Sequence, residues 1–402
     1  MFLQLLIALL LGCFAGIFTG LIPGLHINLV AVVIMSTAAS LLHVASPLAI
    51  AVFIIAMSIT HTFIDTIPSI FLGAPNEDTA LTVLPGHKLL LKGRGYEAVK
   101  LSATGSLLSL IAIATIIPLL LKSIPFIYEH IKDYIGYILI FFSGIMVFAE
   151  KIKNKIFWAF FCFITSGILG LIALTSPMKQ PLLPLLSGLF GVSILLFSLS
   201  EKTRIPEQQI TEIEKVSNKN KTKAVSAAVF SGSLTALFPG LSSSHAAVIA
   251  TQIVGDIGVN AFLMLMGGIN TVNFVFSLVT LYTIDKARNG TVVAISKLIE
   301  AIPLNYILIF IAAAVAAGGI ATFLALQIAK SFSTFVNKIN YRRLCLLIII
   351  FIFIMSFYFS SWFGILVLIV GTAIGLLPHF FGFRKSACMG CLLVPTILFF
   401  IL

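Results

Sequence analysis

Charged residues are scarce in this chain: Asp, Glu, Lys and Arg make up 10% of its 402 residues, against roughly a quarter in soluble proteins. With 59% apolar residues and a mean hydropathy of +1.14, this scarcity excludes a soluble domain and a disordered chain. Cysteine is also scarce, and five cysteines are too few and odd in number for a disulfide framework. The remaining class is a protein of the lipid bilayer.

The apolar residues form continuous runs of roughly 20 residues, the length that an α-helix needs to span a bilayer. Transmembrane β-barrels are excluded because their strands alternate apolar and polar residues. Length and composition therefore predict an all-α polytopic membrane protein with about 10 to 14 membrane segments. The basic residues separate apolar runs and do not interleave with aromatics, so we expect no nucleic-acid partner.

One long polar stretch divides the chain. Residues 200–224 carry six basic and four acidic side chains, and we interpret them as a charged linker between a first membrane repeat, 1–210, and a second, 217–402. If this linker and four shorter loops face the cytoplasm, that side holds 19 of the 25 basic residues, as the positive-inside rule requires in a cell membrane. The four loops are 73–100, 150–155, 329–343 and 378–388.

An internal repeat is the most informative pattern. Residues Gly16–Leu25 align without gaps on Gly232–Leu241 at a constant offset of 216, and the aligned identities include a Thr and a Pro-Gly pair that apolar bias does not supply. About seven crossings precede the second copy, and an odd number reverses its orientation in the membrane. The sequence therefore predicts two inverted repeats.

Each copy of the repeat is interrupted, by Pro23-Gly24 in the first and Pro239-Gly240 in the second. Pro-Gly breaks a helix, and broken backbone inside a membrane is tolerated only against protein or a water-filled cavity. Paired breaks at equivalent positions point to a transporter substrate site formed by re-entrant helices. Alternatively, each pair is a tight turn between two full-length helices.

Polar residues surround both breaks. A helix that starts there has free first-turn amides, which attract anions, although Ser and Asn also cap helices without binding a ligand. We predict a site for an anionic group at both breaks, in which His26 and His245 supply positive charge when protonated. The predicted substrate residues are Thr19, Pro23, Gly24, His26, Asn28, Thr235, Pro239, Gly240, Ser242, Ser243, Ser244 and His245.

Asp65 is the sole acidic residue among the first 72, and His61 lies one helical turn before it. An ionisable pair within a membrane helix predicts coupling to a proton or sodium ion, unless the pair lies at the helix end and is solvated. The equivalent segment of the second half contributes Asn270, Thr271 and Asn273, without an acid. Apart from this coupling ion, H⁺ or Na⁺, no cofactor or metal is expected.

The chain resembles the membrane permease subunit of tripartite tricarboxylate transporters and its archaeal relatives. The resemblance rests on G-x-x-x-G-x-x-P-G-L at 16–25, its second copy at 232–241, Ile67–Pro75, and Leu84–Leu89 with the Lys-Gly-Arg-Gly that follows. It implies secondary active uptake of a carboxylate. It also implies two partners, a small membrane subunit and an extracytoplasmic binding protein; association of several copies of this chain is left open.

Two alternatives come from other classes. Pro-Gly-Leu-Ser-Ser-Ser at 239–244 is similar to an element of polyprenyl-phosphate translocases, which would make the substrate a lipid phosphate. A membrane-embedded enzyme would need paired carboxylates or a metal-ligand cluster in the membrane, for which only Asp65 is available. We therefore predict that the protein is not an enzyme.

Overall fold

A computed structural model describes residues 1–22, 42–73, 79–148, 152–178, 180–200, 206–210, 215–237, 243–287, 289–299, 301–336 and 341–402. In these ranges every regular element is a helix, which confirms the all-α prediction. The helices are α1 Phe2–Leu21, α2 Pro47–Ile64, α3 Thr66–Phe71, α4 Val83–Leu90, α5 Gly95–Leu120, α6 Ser123–Ile131, α7 Ile135–Phe148, α8 Lys153–Thr175, α9 Leu182–Leu186, α10 Ser193–Ser200, α11 Asn218–Leu237, α12 Ser243–Val254, α13 Gly258–Ile284, α14 Gly290–Leu298, α15 Leu304–Val336, α16 Tyr341–Phe381 and α17 Gly390–Ile401. Short 3₁₀ turns cover Lys132–Tyr134 and Lys385–Met389, and a π-helical turn covers Ser187–Val192.

Eight helical stretches in the described chain are long and apolar enough to cross a membrane, so this is a multi-pass membrane protein. Two of them form its centre, α2 continued by α3 (Pro47–Phe71) and α13, because 89% of an 18-residue apolar stretch in each is buried by protein. The peripheral helices instead expose apolar side chains such as Phe14 and Phe18 of α1, a surface suited to lipid. The count of 10 to 14 segments stays a prediction.

Helix α1 packs closely against α2 because small residues recur every fourth position on its inner face. A Cβ at Gly12 would meet Phe53 and Ala56, and one at Gly16 would lie 2.5 Å from the Cβ of Thr60. Further along, Gly20 packs against α2 one turn later. The contacts advance together along both helices, so α1 and α2 run parallel. Small residues at such positions allow helices in membranes to pack closely.

The second half opens with the same arrangement. Ala228 and Gly232 on α11 lie against α13, where a Cβ at Gly232 would be 2.8 Å from the carbonyl oxygen of Ile269 and from the Cβ of Val272. The Nδ2 of Asn220, near the start of α11, donates to the carbonyl of Ile257 just before α13 begins. Helices α11 and α13 therefore also run parallel.

Helix α12 connects these two parallel helices by returning toward the start of α11. Its last residue, Val254, lies beside the first turns of α11, where the Nζ of Lys223 is 3.5 Å from the Val254 carbonyl oxygen. With 12 residues, α12 is about 18 Å long, short of the roughly 30 Å hydrocarbon core. The break at Pro239-Gly240 lies outside the described residues, between α11 and α12.

The predicted linker is partly ordered against the first half. Gln208 is buried and bridges the turn between α4 and α5: its Oε1 accepts from the Gly95 amide at 3.0 Å and its Nε2 donates to the Leu90 carbonyl at 2.8 Å. Helix α11 begins at Asn218, so residues 218–224 of the predicted linker are helical. The division into two repeats stays a prediction.

Candidate functional site

A buried polar cluster lies where the two central helices meet. The last turns of α2 present Thr60-His61-Thr62 and then Asp65, and the middle of α13 presents Asn270 and Thr271. Both helices are covered on all sides by other helices, so polar groups here face protein and avoid lipid. Interior positions of this kind are where membrane proteins keep ionisable side chains.

His61 is held by the first helix of the chain. Its Nδ1 is 3.1 Å from the Oγ1 of Thr19, and the Thr19 hydroxyl lies 3.2 Å from the carbonyl oxygen of Gly16, to which it donates. A threonine hydroxyl has a single hydrogen, so when it donates to Gly16 the Thr19 oxygen can accept from the Nδ1 of His61. The Nε2 of His61 is the nitrogen that faces Asp65.

Asp65 is 3% exposed, and side chains from both halves of the chain lie next to its carboxylate. The Nε2 of His61 lies 3.9 Å from Asp65 Oδ2, within ion-pair range but too long for a hydrogen bond. The same Oδ2 accepts a 3.3 Å hydrogen bond from the amide Nδ2 of Asn270 on α13. Asp65 is buried within the protein, so it is not solvated at a helix end.

A second contact between the central helices joins two hydroxyls, Oγ1 of Thr62 and Oγ1 of Thr271, at 3.3 Å. Nothing in the sequence marks Thr62 as facing α13. Asn273 is half-buried, and its backbone carbonyl accepts from Ser277. In the described part of the chain, no group of three His, Cys, Asp or Glu side chains is placed to hold a metal.

The predicted substrate residues are only partly described. Thr235 is buried and donates to Gly232 O at 2.7 Å, the same bond that Thr19 makes to Gly16 O in the first copy. Ser243 and Ser244 open α12 and are both buried, and His245 follows them in the helix. The other members lie outside the described residues: Pro23, Gly24, His26, Asn28, Pro239, Gly240 and Ser242.

Comparisons with known proteins agree with the resemblance seen in the repeats. Residues 6–390 match the family described as the tripartite tricarboxylate transporter TctA family. An uncharacterized protein of Methanocaldococcus jannaschii is 32% identical over 360 residues, which cover 87% of this chain and 88% of that protein. No solved structure matches the chain.

Proposed function

The chain belongs to the tripartite tricarboxylate transporter TctA family, and from that membership we propose that it is a secondary active transporter of an organic anion, a carboxylate, driven by an ion gradient. Coupling of transport to an ion gradient is supported by Asp65, a buried carboxylate at the contact of the two central helices. An ionisable group in this position is a transport or coupling site by default.

We propose that the two halves are inverted repeats. Support comes from the parallel pairs α1–α2 and α11–α13, and from α12, which returns to the start of its pair. The direction of the contact between α2 and α13 also supports it: Asp65, later on α2 than Thr62, contacts Asn270, earlier on α13 than Thr271. Contacts that advance on one helix and recede on the other belong to antiparallel helices.

We propose that the returning segments are re-entrant, with the Pro-Gly breaks inside the membrane. The length of α12 supports this, because about 18 Å cannot cross a bilayer and its end returns to the level of Lys223. Free amides and hydroxyls at the two breaks then replace water around the anion, and Ser243 and Ser244 begin the helix that points at it.

We propose a proton as the coupling ion. The Nε2 of His61 and the Oδ2 of Asp65 face each other at 3.9 Å, and one proton shared between them would neutralise the carboxylate. Sodium would need several oxygens at once, whereas Asn270 turns its N–H toward Asp65. Loading and release of this proton, alternating with the two orientations of the site, would couple anion uptake to the proton gradient.

Uptake into proteoliposomes tests substrate and coupling together. Citrate uptake should be saturable, should be driven by an imposed pH gradient and should persist without sodium. Saturable movement of a short-chain polyprenyl phosphate alone would make the protein a lipid-carrier translocase. Uptake driven by a sodium gradient at constant pH would refute the proton assignment while keeping the transport function.

The role of Asp65 is tested by Asp65→Asn, which keeps shape and hydrogen bonding but cannot exchange a proton. The variant should lose concentrative uptake and keep passive exchange, because the neutral side chain mimics one state of the cycle. Asp133→Asn is the matched control, since Asp133 is exposed between α6 and α7. Accumulation against a gradient by Asp65→Asn at the wild-type rate would rule out the coupling role.

We also propose that the protein lies in the cell membrane with 200–224 in the cytoplasm, and that it works with a small membrane subunit and an extracytoplasmic binding protein. The contact of Gln208 with the α4–α5 turn supports the topology, because both segments were assigned to one side by charge. Cysteines introduced in 206–210 should be labelled from the cytoplasmic side alone. Affinity capture of the tagged chain from native membranes would test for the two partners.

A further inference from the structure

A cavity of about 630 Å³ opens at the end of the protein where α11 begins. Four regions form its wall: residues 80–88, the π-helical turn with the start of α10, the turn between α12 and α13, and the end of α16 with the 3₁₀ turn that follows. The charges are unevenly distributed, because Lys88, Arg384 and Lys385 line the cavity with His379, and Asp256 is the one acidic residue among its described lining. The remaining lining is largely apolar.

Lys385 is the unusual member of this group because it is 6% exposed. Its Nζ lies 2.9 Å from the Oγ of Ser193, 3.3 Å from the Nε2 of His379 and 3.5 Å from the Phe190 carbonyl oxygen. These partners are uncharged when His379 is neutral. Within the described chain no carboxylate forms an ion pair with Lys385. Buried charges usually have a counter-ion, whereas the groups around this ammonium are neutral.

No carboxylate is among the titratable groups that act on Lys385 in the described chain. These groups are His379 on α16, His87 on α4, and the thiols of Cys388 and of Cys162 on α8, whose sulfurs are 3.5 Å apart. Burial lowers the pKa of Lys385 to about 7, as expected for an amine removed from water without a carboxylate partner. An anion in the cavity would provide the counter-charge that the protein omits.

We propose that this cavity is a binding site for an anionic oxyacid group, carboxylate or phosphate, with Lys385 at its base and Lys88 and Arg384 at its rim. Lys88 and Arg384 are exposed at the mouth and can reach an anion as it enters. The apolar walls suit a ligand with a hydrocarbon portion beside its charged group. Asp256 also lines the cavity, with its Oδ1 accepting the Gly258 amide at 2.9 Å, and the three basic side chains outnumber this single carboxylate.

The cavity is separate from the Asp65 cluster, but one short helix contacts both Asp65 and the residue that precedes the cavity lining. The Oγ of Ser69 on α3 lies 3.0 Å from the Asp65 backbone carbonyl and 2.7 Å from the Oγ1 of Thr79, and the cavity lining begins at the next residue, Ala80. The proposal does not depend on transport, since it concerns binding alone. A soluble carboxylate, a free phosphate and a lipid headgroup share the required chemistry.

Equilibrium binding to the purified full-length chain in nanodiscs of neutral lipid tests the site. The probes are radiolabelled sulfate, citrate and dihexanoyl phosphatidic acid. The variants are Lys385→Met, which removes the buried charge, and the double variant Lys88→Gln with Arg384→Gln, which alters exposed side chains only. Lys330→Gln is the matched control, because Lys330 is an exposed lysine on α15 outside the cavity.

We expect saturable binding that becomes about tenfold or more weaker in Lys385→Met, and several-fold weaker in the double variant, with Lys330→Gln unchanged. Binding of sulfate and citrate identifies a soluble anion as the ligand, and binding of phosphatidic acid alone identifies a lipid headgroup. Wild-type affinity in both cavity variants overturns the proposal, as does the absence of saturable binding for every probe.

Two further measurements keep the test decisive. If Lys385→Met does not fold, the double variant decides alone, and wild-type affinity in it overturns the proposal. Uptake by Asp65→Asn tests the transport proposal and sulfate binding by the cavity variants tests this one, so failure of the two proposals gives different results.

Discussion

Substituting Gly16 by Ala should both destabilise the protein and disconnect His61 from Thr19. The new Cβ would lie 2.5 Å from the Thr60 Cβ and 2.7 Å from the Met57 carbonyl oxygen, where ordinary carbon contacts are about 3.5–4.0 Å. Backbone and Cβ atoms cannot rotate away as a flexible side chain can. Helix α1 must therefore retreat from α2 by about 1 Å.

The energetic effect has two opposing parts. Ala in place of Gly in a helix interior gains about 0.5–1 kcal/mol of helix stability, whereas overpacking of a tight contact costs about 1–3 kcal/mol. The contact is against backbone, so we expect the cost to exceed the gain. A retreat of about 1 Å would also lengthen the 3.1 Å contact between His61 Nδ1 and Thr19 Oγ1 beyond hydrogen-bonding range.

Gly319→Ala provides a matched control. Gly319 also lies inside a membrane-spanning helix, α15, but a Cβ there meets no atom within 4 Å in the described structure. It should be neutral or stabilising, so the two variants should differ by about 1–3 kcal/mol. Thermal unfolding in detergent measures the difference, and proton-driven uptake should fall in Gly16→Ala alone. Equal stability and equal uptake in the two variants would refute the packing argument.

Four further outcomes are expected. Gly232→Ala should lower the unfolding midpoint as Gly16→Ala does, because its Cβ would lie 2.8 Å from the backbone carbonyl oxygen of Ile269 on α13. A midpoint equal to that of the wild type would contradict the equivalence of the two helix pairs. Thr19→Val keeps the shape of the side chain and removes its hydroxyl, so it should reduce proton-driven uptake by about tenfold. Its unfolding midpoint should stay within a few degrees of the wild-type value, and transport and thermal unfolding are measured on the same preparation. Sulfate binding to the cavity should weaken by up to about tenfold per pH unit above 7, because Lys385 binds an anion only in its charged form and its pKa is about 7. Sulfate keeps its own charge over this range, so an affinity that does not change with pH would contradict the role of Lys385. Gln208→Ala should free residues 206–210 and make them cleavable by added protease, since it removes hydrogen bonds to Gly95 and Leu90.

The membrane class and the helical fold follow from the sequence alone, because a bilayer admits few structures. Backbone polar groups must be satisfied internally in lipid, so continuous apolar runs can be only helices. The repeat stays a prediction of the sequence, and the aligned glycines Gly16 and Gly232 both lie in close helix contacts.

Asp65 could be singled out from the sequence because one isolated acid among the first 72 residues is expensive in a membrane. Its neighbour His61 followed from helical spacing, since residues four apart share a face. The residues from other helices that contact His61 and Asp65 could not be predicted from helical spacing. Thr19 was assigned to the anion, but the structure brings its hydroxyl to His61.

Only the tertiary structure decided which distant residues meet. Thr62 and Thr271 are ordinary residues in their helices, and their contact depends on the crossing of α2 and α13, which no local pattern encodes. Lys385 served in the sequence only as one of the charges that mark a cytoplasmic loop, yet in the fold it is buried beneath a cavity. Hydropathy and spacing are local properties of the chain, whereas burial and charge pairing depend on how separate helices pack together, and the site is formed by that packing.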